Sequence, residues 1–137
     1  MRSELSEDWD RRKNMAKKIL FVEDEPSLQK TISEVLIQEG FQVLSASDGE
    51  EGLRFAANEN PDLILLDLIL PKKDGFEVLK ELKADEKMKD IPVIVLTNLE
   101  GVGDVEKALS LGAKTYLVKA NYELDDVLKL VKEHVRK

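Results

Sequence analysis

Residues 63–67 read Leu-Ile-Leu-Leu-Asp, an uninterrupted apolar run that ends in a carboxylate near the middle of the chain. Four more short apolar runs lie on either side of it, at Ile19–Val22, Phe41–Leu44, Ile91–Leu96 and Tyr116–Val118. Short apolar runs that are bounded by turn-forming residues are typical of β-strands. The run that begins at Leu63 contains no polar residue, which is expected for a strand covered by helices on both faces.

Between these runs, apolar residues recur at spacings of three and four, which places each set on one face of a helix. The five sets are Leu28, Ile32 and Leu36; Leu53 and Ala56; Phe76, Leu79 and Leu82; Val105, Ala108 and Leu109; and Leu124, Leu128, Val131 and Val135. Strands that alternate with helices of this length predict βαβ units and a parallel sheet. Five such units are too few for an eight-unit barrel, so an open doubly wound sheet is favoured.

Two of the predicted strands have the character of edge strands. The second contains Gln42 and continues into Ser45, and the fifth, Tyr116–Val118, is short. With these two at the edges, we predict an α/β, flavodoxin-like fold with five helices and the strand order 2-1-3-4-5. Residues 1–16 have no such periodicity and are predicted to form a flexible tail ahead of a single domain, residues 17–137.

The composition excludes several classes of function. The 137 residues carry 21 basic and 28 acidic side chains, and a formal net charge of −7 disfavours direct binding to nucleic acid. The chain has no cysteine and its one histidine is His134, which excludes a cysteine–zinc site, a thiol nucleophile and a Ser-His-Asp triad in the core. No apolar run reaches the ~18 residues of a membrane helix and no signal-peptide core is present, so we expect a cytoplasmic protein without membrane contact.

Polar side chains follow four of the predicted strands, at the sheet edge where ligands bind to open parallel sheets. Glu23 and Asp24 follow the first strand, Asp67 the third, Thr97 the fourth and Lys119 the fifth. Crowded carboxylates repel unless a cation is present, and Mg²⁺ prefers oxygen ligands. A carboxylate can accept a phosphoryl group covalently, and lysine and threonine can donate hydrogen bonds to its oxygens. The strand ends therefore predict a Mg²⁺-dependent phosphoryl site that uses no histidine.

Each of these residues also has an ordinary structural interpretation. The acidic residues after the first strand precede Pro26, which suits a helix start, where negative charge favours the helix dipole. Asp67 alone is consistent with a helix cap, Thr97 with a cap or strand end, and Lys119 with a solvated strand terminus. Their joint occurrence at the ends of three central strands and one edge strand favours a functional site.

Several motifs then occur in a consistent order and spacing from about Lys17 to the C-terminus. They are Val22-Glu-Asp-Glu-Pro26, Leu65-Leu-Asp67-Leu-Ile-Leu-Pro71-Lys-Lys-Asp74-Gly75, Pro92-Val-Ile-Val-Leu-Thr97 and Gly112-Ala-Lys-Thr-Tyr116-Leu-Val-Lys119. In these motifs the chain resembles the receiver domains of bacterial response regulators, and in particular the stand-alone, chemotaxis-type members.

The resemblance implies roles for the residues of the first and third strand ends. Asp67 would accept a phosphoryl group from the phosphohistidine of a sensor histidine kinase or phosphotransfer protein. Mg²⁺ would be the cofactor, bound by Asp24, Asp67 and the backbone carbonyl of Ile69, with Glu23 acting mainly through a bound water. Gly75 would permit a turn that other residues cannot make in the loop after Asp67.

The resemblance also implies a conformational switch. Near the switch residues, the chain departs from the family at two positions. Thr97 and Lys119 would hold the phosphoryl oxygens, and Tyr116 would change its packing when Thr97 moves toward the phosphate. The family usually has a proline after the lysine, whereas this chain has Ala120, which favours a trans peptide and a differently seated loop. Asn98 replaces a small residue, and we hypothesise that it restricts access to the phosphoryl group and slows its hydrolysis.

We therefore expect a single-domain response regulator that is a phosphoacceptor and not an enzyme. The face made by its fourth helix, fifth strand and fifth helix would control a downstream output protein, with the chain a monomer or weak dimer. An alternative is a receiver-like adaptor that works without phosphorylation, in which Asp67→Asn leaves partner binding intact. A small-molecule phosphotransferase or a flavin protein is less favoured, since the loops after the strands are short and acidic residues would repel a flavin phosphate.

Overall fold

Strands and helices alternate along residues 17–98, 102–119 and 123–136, the part of the chain that the computed structural model describes. The strands are β1 (Lys18–Val22), β2 (Gln42–Ala46), β3 (Leu63–Asp67), β4 (Val93–Thr97) and β5 (Thr115–Val118). The helices are α1 (Pro26–Gln38), α2 (Gly49–Glu59), α3 (Gly75–Ala84), α4 (Val102–Ser110) and α5 (Leu124–His134). The tail predicted at residues 1–16, and the departure at Ala120, lie outside the described residues.

The five strands form one parallel sheet in the order β2-β1-β3-β4-β5, which confirms the predicted fold and topology. Every residue of β3 and β4 is buried, as the apolar runs predicted for central strands. In contrast, β2 and β5 contain exposed positions, because each has a neighbouring strand on one side only. None of the described helices is long and apolar enough to span a membrane.

The sheet separates two layers of core. Neighbouring residues of β1 belong to different layers, with Leu20 in one and Phe21 in the other, because side chains alternate between the faces of a strand. Buried residues of α2, α3 and α4 pack in the first layer, and those of α1 and α5 pack in the second. Because all five strands are parallel, their carboxyl ends lie along one edge of the sheet, between the two layers of helices.

The helices begin where the sequence provides suitable residues. Pro26 is the first residue of α1, a position where its missing N–H costs nothing. Asp48 caps α2 by accepting a hydrogen bond from the N–H of Glu51 at 2.8 Å. Asp74 caps α3 in the same way, with the N–H of Glu77 at 3.0 Å. These caps fix where the loops after β2 and β3 end.

The role expected of Gly75 is corrected by the structure. Gly75 does not have a positive φ; the left-handed residue of the loop after β3 is Lys72, at φ 66°. Gly75 is needed for a different reason, since a Cβ there would lie 2.3 Å from the carbonyl oxygen of Asp67 and 2.5 Å from Leu68 Cα. Only a residue without a side chain lets α3 begin this close to the end of β3.

Candidate functional site

A cleft of about 240 Å³ opens at the carboxyl ends of the central strands. Its lining contains most of the residues that the sequence analysis singled out, together with Glu25: Glu23, Asp24, Glu25, Asp67, Ile69, Asn98 and Lys119. Thr97 is fully buried at the end of β4 and is not among the lining residues. The strand ends predicted to converge are therefore brought together by the fold.

Three carboxylates form the centre of this cleft. One oxygen each of Glu23, Asp24 and Asp67 lies within 4.8 Å of the other two. Glu23 and Asp67 are buried, whereas Asp24 is exposed to the cleft. A set of oxygen donors with more than one negative charge, open on one side to solvent and phosphate, fits the ligand preference of Mg²⁺.

Lys119 provides the positive charge within the cleft. Its Nζ lies 2.5 Å from Glu23 Oε1 and 2.9 Å from Asp67 Oδ2, and its side chain is only 9% exposed. The Lys119 N–H also donates to the carbonyl oxygen of Thr97 at 2.7 Å, which holds the end of β5 beside β4. The lysine therefore reaches from the end of edge strand β5 past β4 and bridges the carboxylates at the ends of β1 and β3.

Burial and the charges of neighbouring groups shift the pKa values of Glu23 and Lys119. Burial raises the pKa of Glu23 to about 7, and Asp67 adds to the rise while the hydrogen bond from Lys119 opposes it. Burial alone would lower the pKa of Lys119, but its hydrogen bonds to Glu23 and Asp67, together with their negative charges, outweigh that effect and the net pKa is raised. Without a metal, the surroundings therefore favour a charged lysine and a Glu23 carboxyl that keeps its proton to higher pH than an exposed glutamate.

Backbone N–H groups hold the carboxylates in their orientations. Asp67 Oδ1 accepts a hydrogen bond from the N–H of Ile69 at 3.2 Å, and its other oxygen faces Lys119. Glu23 Oε2 accepts a hydrogen bond from the N–H of Glu25 at 3.2 Å. The side chain of Ile69 is 56% exposed at the rim of the cleft.

The two residues predicted to form a switch lie on adjacent strands. Thr97 pairs with Val118 in the β4–β5 register, and Tyr116 lies two residues before that partner. Because side chains alternate along a strand, Tyr116 and Val118 point to the same face of the sheet. Tyr116 is 40% exposed while Thr97 is buried.

Two further residues complete the site, one of which sequence reasoning missed. Asn98 is exposed and lines the cleft, directly after buried Thr97. The missed residue is Gln29 in the first turn of α1, whose Nε2 donates to the carbonyl oxygens of Glu23 and Ala46 at 3.0 and 3.3 Å. No pattern in the sequence indicates this contact, since a glutamine in a first helical turn is usually solvated.

Comparison with known proteins gives the family. The family model described as "Response regulator receiver domain" matches residues 19–132. The alkaline phosphatase synthesis transcriptional regulatory protein PhoP of Bacillus subtilis is 45% identical over 105 residues, which cover 77% of this chain and 43% of PhoP. The DNA-binding dual master transcriptional regulator RpaA of Synechocystis is 38% identical over 120 residues, 88% of this chain and 49% of RpaA. The chain thus spans less than half the length of these two relatives.

Among solved structures, the receiver domain of sensor histidine kinase PA1611 from Pseudomonas aeruginosa has a TM-score of 0.79 and 32% identity. The alignment covers 86% of this chain and 96% of that one, which has a magnesium ion coordinated in its active site cleft. The acidic cluster of Glu23, Asp24 and Asp67 is consistent with the acidic, Mg²⁺-binding pocket of receiver domains. Sequence and fold agree, and the chain belongs to the response regulator receiver domains, the phosphoacceptor domains of two-component signalling.

Proposed function

We propose that Asp67 is the phosphoacceptor of this receiver domain and that its phosphorylation depends on Mg²⁺. One observation carries the proposal: the Asp67 carboxylate ends the central strand, with two other carboxylates within 4.8 Å and Lys119 Nζ at 2.9 Å. Phosphoryl transfer needs positioning and charge neutralisation more than acid–base groups, and this cluster provides both.

In the proposed reaction, an Asp67 oxygen attacks the phosphorus of a phosphohistidine on a sensor kinase or phosphotransfer protein. A P–O bond forms while the P–N bond breaks, and the histidine leaves with the electron pair of that bond. Mg²⁺, held by Asp24, Asp67 and the carbonyl of Ile69 with Glu23 beside it, would neutralise charge on the phosphoryl oxygens. Lys119 and Thr97 would donate hydrogen bonds to those oxygens.

The output proposed for this domain is a change in the face made by α4, β5 and α5. Thr97 would move toward the phosphoryl group, and Tyr116 would repack on β5. Leu109 and Tyr116 on this face are 41% and 40% exposed, which supports recognition by an apolar partner surface. We propose a separate cytoplasmic output protein as that partner, because a formal net charge of −7 disfavours direct contact with nucleic acid.

The proposed organisation is a receiver unit at residues 17–137 that follows a short tail and acts as a monomer or weak dimer. The relatives PhoP and RpaA are transcriptional regulators about twice as long as the aligned region. An attached output domain is therefore the competing arrangement, and the sequence of the full gene distinguishes the two.

The test is intact-protein mass after incubation with acetyl phosphate, with and without Mg²⁺, for the wild type, Asp67→Asn and Asp62→Asn. Asp62 is a matched control because it precedes the same strand at the opposite end of the sheet and lies outside the cleft. We expect the wild type and Asp62→Asn to gain one phosphoryl group only with Mg²⁺, and Asp67→Asn to gain none. Equal labelling of Asp67→Asn would refute the assignment. No labelling of any variant would favour the phosphorylation-independent adaptor.

A further inference from the structure

Gln29 makes an unusual pair of contacts for a residue in the first turn of a helix. Its half-buried side chain reaches back over the loop after β1, and Nε2 donates to the carbonyl oxygens of Glu23 at 3.0 Å and Ala46 at 3.3 Å. The Ala46 carbonyl also accepts the N–H of Glu23 at 2.9 Å. The amide of Gln29 therefore ties together the carboxyl ends of β1 and β2.

The Glu23 carbonyl belongs to the peptide that joins the two acidic residues of the cleft. Because a peptide unit is planar, holding that oxygen also sets the orientation of the N–H and Cα of Asp24. The two side chains differ in exposure: Glu23 is 0% exposed, and Asp24 is exposed to the cleft. Even so, their carboxylate oxygens lie within 4.8 Å of each other and of Asp67.

The loop is also connected to α1 through its backbone. The Gln29 N–H donates to the carbonyl of Glu25 at 3.0 Å, and the Glu25 N–H donates to Glu23 Oε2 at 3.2 Å. Gln29 thus contacts the loop at both of its ends, with its backbone at Glu25 and its side chain at Glu23. The first turn of α1 is therefore hydrogen-bonded to the loop that carries three successive acidic residues.

We propose that Gln29 is a positioning residue for the metal site, acting through the Glu23–Asp24 peptide to hold both carboxylates ready for Mg²⁺. The inference rests on the proposed function of the cleft and adds a residue that contacts neither metal nor phosphate. Groups that orient metal ligands in this way commonly change metal affinity by roughly 10–100-fold when they are removed.

The test is the dissociation constant for Mg²⁺ alone, measured by calorimetry for the wild type, Gln29→Met and Gln38→Met. Methionine keeps the length of the side chain, adds no charge and removes both donors. Gln38 is a matched control, an exposed glutamine at the other end of α1. We expect Gln29→Met to weaken Mg²⁺ binding by about tenfold and Gln38→Met to leave it unchanged. Circular dichroism below the unfolding transition verifies that each variant is folded.

A purely structural role for Gln29 would lower the free energy of unfolding without changing Mg²⁺ affinity, and that result would overturn the proposal. If Gln29→Met does not fold, side-chain NMR of the wild type decides. The Gln29 amide resonances should then shift during a Mg²⁺ titration with the dissociation constant found by calorimetry, while those of Gln38 stay fixed. Unperturbed Gln29 resonances would overturn the proposal. Absence of Mg²⁺ binding by the wild type would instead refute the proposed metal site, and the role of Gln29 with it.

Discussion

At the scale of single residues, Glu23 is a fully buried carboxyl group among the described residues, and burial disfavours its charged form. Burial raises the pKa of its carboxyl group from the ordinary value of 4.5 to about 7 in the folded chain. Between these two values the folded state holds a proton that the unfolded state has lost. The free energy of unfolding therefore falls as pH rises through this range. Without divalent cations, we expect a fall of about 1–3 kcal/mol between pH 5 and pH 8 that is attributable to Glu23.

Urea unfolding in the presence of a chelator measures this effect, with Glu23→Gln as the comparison. Subtracting the pH dependence of Glu23→Gln removes the contributions of groups that do not interact with Glu23. The difference should decline toward pH 8 and then level off. A difference that is flat, or that rises with pH, would contradict the raised pKa of Glu23.

Lys119 is the cation that faces the Glu23 carboxylate. Replacing it should show how much its charge contributes to the free energy of unfolding. In Lys119→Met, Glu23 and Asp67 lose the ammonium group that lies 2.5 and 2.9 Å from them. We expect the free energy of unfolding at pH 8 without Mg²⁺ to fall by about 3 kcal/mol, because two buried carboxylates are left without a cation. Saturating Mg²⁺ should restore part of this loss.

The matched control is Lys114→Met, an exposed lysine directly before the same strand. Its effect on the free energy of unfolding should stay within about 0.5 kcal/mol, as for most surface substitutions. Equal stability of Lys119→Met and the wild type in the absence of Mg²⁺ would show that the lysine does not stabilise the carboxylates.

At this same scale, the sequence predicted part of the site for a simple reason. Residues that directly follow strands are placed by the sheet itself, so the convergence of Glu23, Asp24 and Asp67 follows from strand order. The contact of Gln29 with the Glu23 carbonyl could not be predicted, because it depends on how closely α1 approaches the ends of β1 and β2. The chemical roles of these residues stay predictions.

At the scale of elements, the approach of α3 to β3 gives a sharp prediction. A Cβ at Gly75 would lie 2.3 Å from the backbone oxygen of Asp67, whereas a Cβ at Gly52 would lie 2.9 Å from a side-chain methyl of Val22. Side chains can rotate away, but the backbone of a buried central strand cannot. We therefore expect Gly75→Ala to lower the free energy of unfolding by about 1–3 kcal/mol, and by more than Gly52→Ala.

Chemical denaturation of Gly75→Ala and Gly52→Ala measures this difference. The two variants can be compared directly because both glycines lie in helices that pack in the same layer of core. If Gly52→Ala were the more destabilising variant, the close backbone approach at Gly75 would not be what requires glycine there. A Cβ at position 75 would push α3 away from the end of β3. A change in the Mg²⁺ affinity of the folded Gly75→Ala variant would show that this displacement also moves Asp67.

The elements also show where sequence patterns become imprecise. The predicted order and central strands are confirmed, because uninterrupted apolar runs identify strands that are buried on both faces. The apolar run of the second strand begins at Phe41 and was predicted to continue into Ser45, whereas the strand in the structure is Gln42–Ala46. The bounds of β2 are set by its pairing with β1, in which Ala46 lies opposite Val22. Polar residues such as Ser45 are tolerated because β2 is an edge strand.

At the scale of the whole molecule, the two layers of core share one sheet and should unfold together. Leu36 of α1 and Leu79 of α3 are both 0% exposed and belong to opposite layers. We expect Leu36→Ala and Leu79→Ala each to lower the free energy of unfolding by about 2–5 kcal/mol in a single cooperative transition. Far-UV circular dichroism and tyrosine fluorescence should give coincident curves. Two separate transitions in either variant would show that one layer unfolds independently.

The assignment of Asp67 as phosphoacceptor is tested most directly by finding the carboxylate that carries the phosphoryl group. Borohydride reduces an aspartyl phosphate to homoserine, and tandem mass spectrometry of peptides from the treated protein locates that homoserine in the chain. After incubation with acetyl phosphate and Mg²⁺, we predict homoserine at position 67 and at no other aspartate. Homoserine at position 24 or 74 in place of position 67 would contradict the assignment, and equal amounts at position 67 with and without Mg²⁺ would contradict the proposed dependence on the metal.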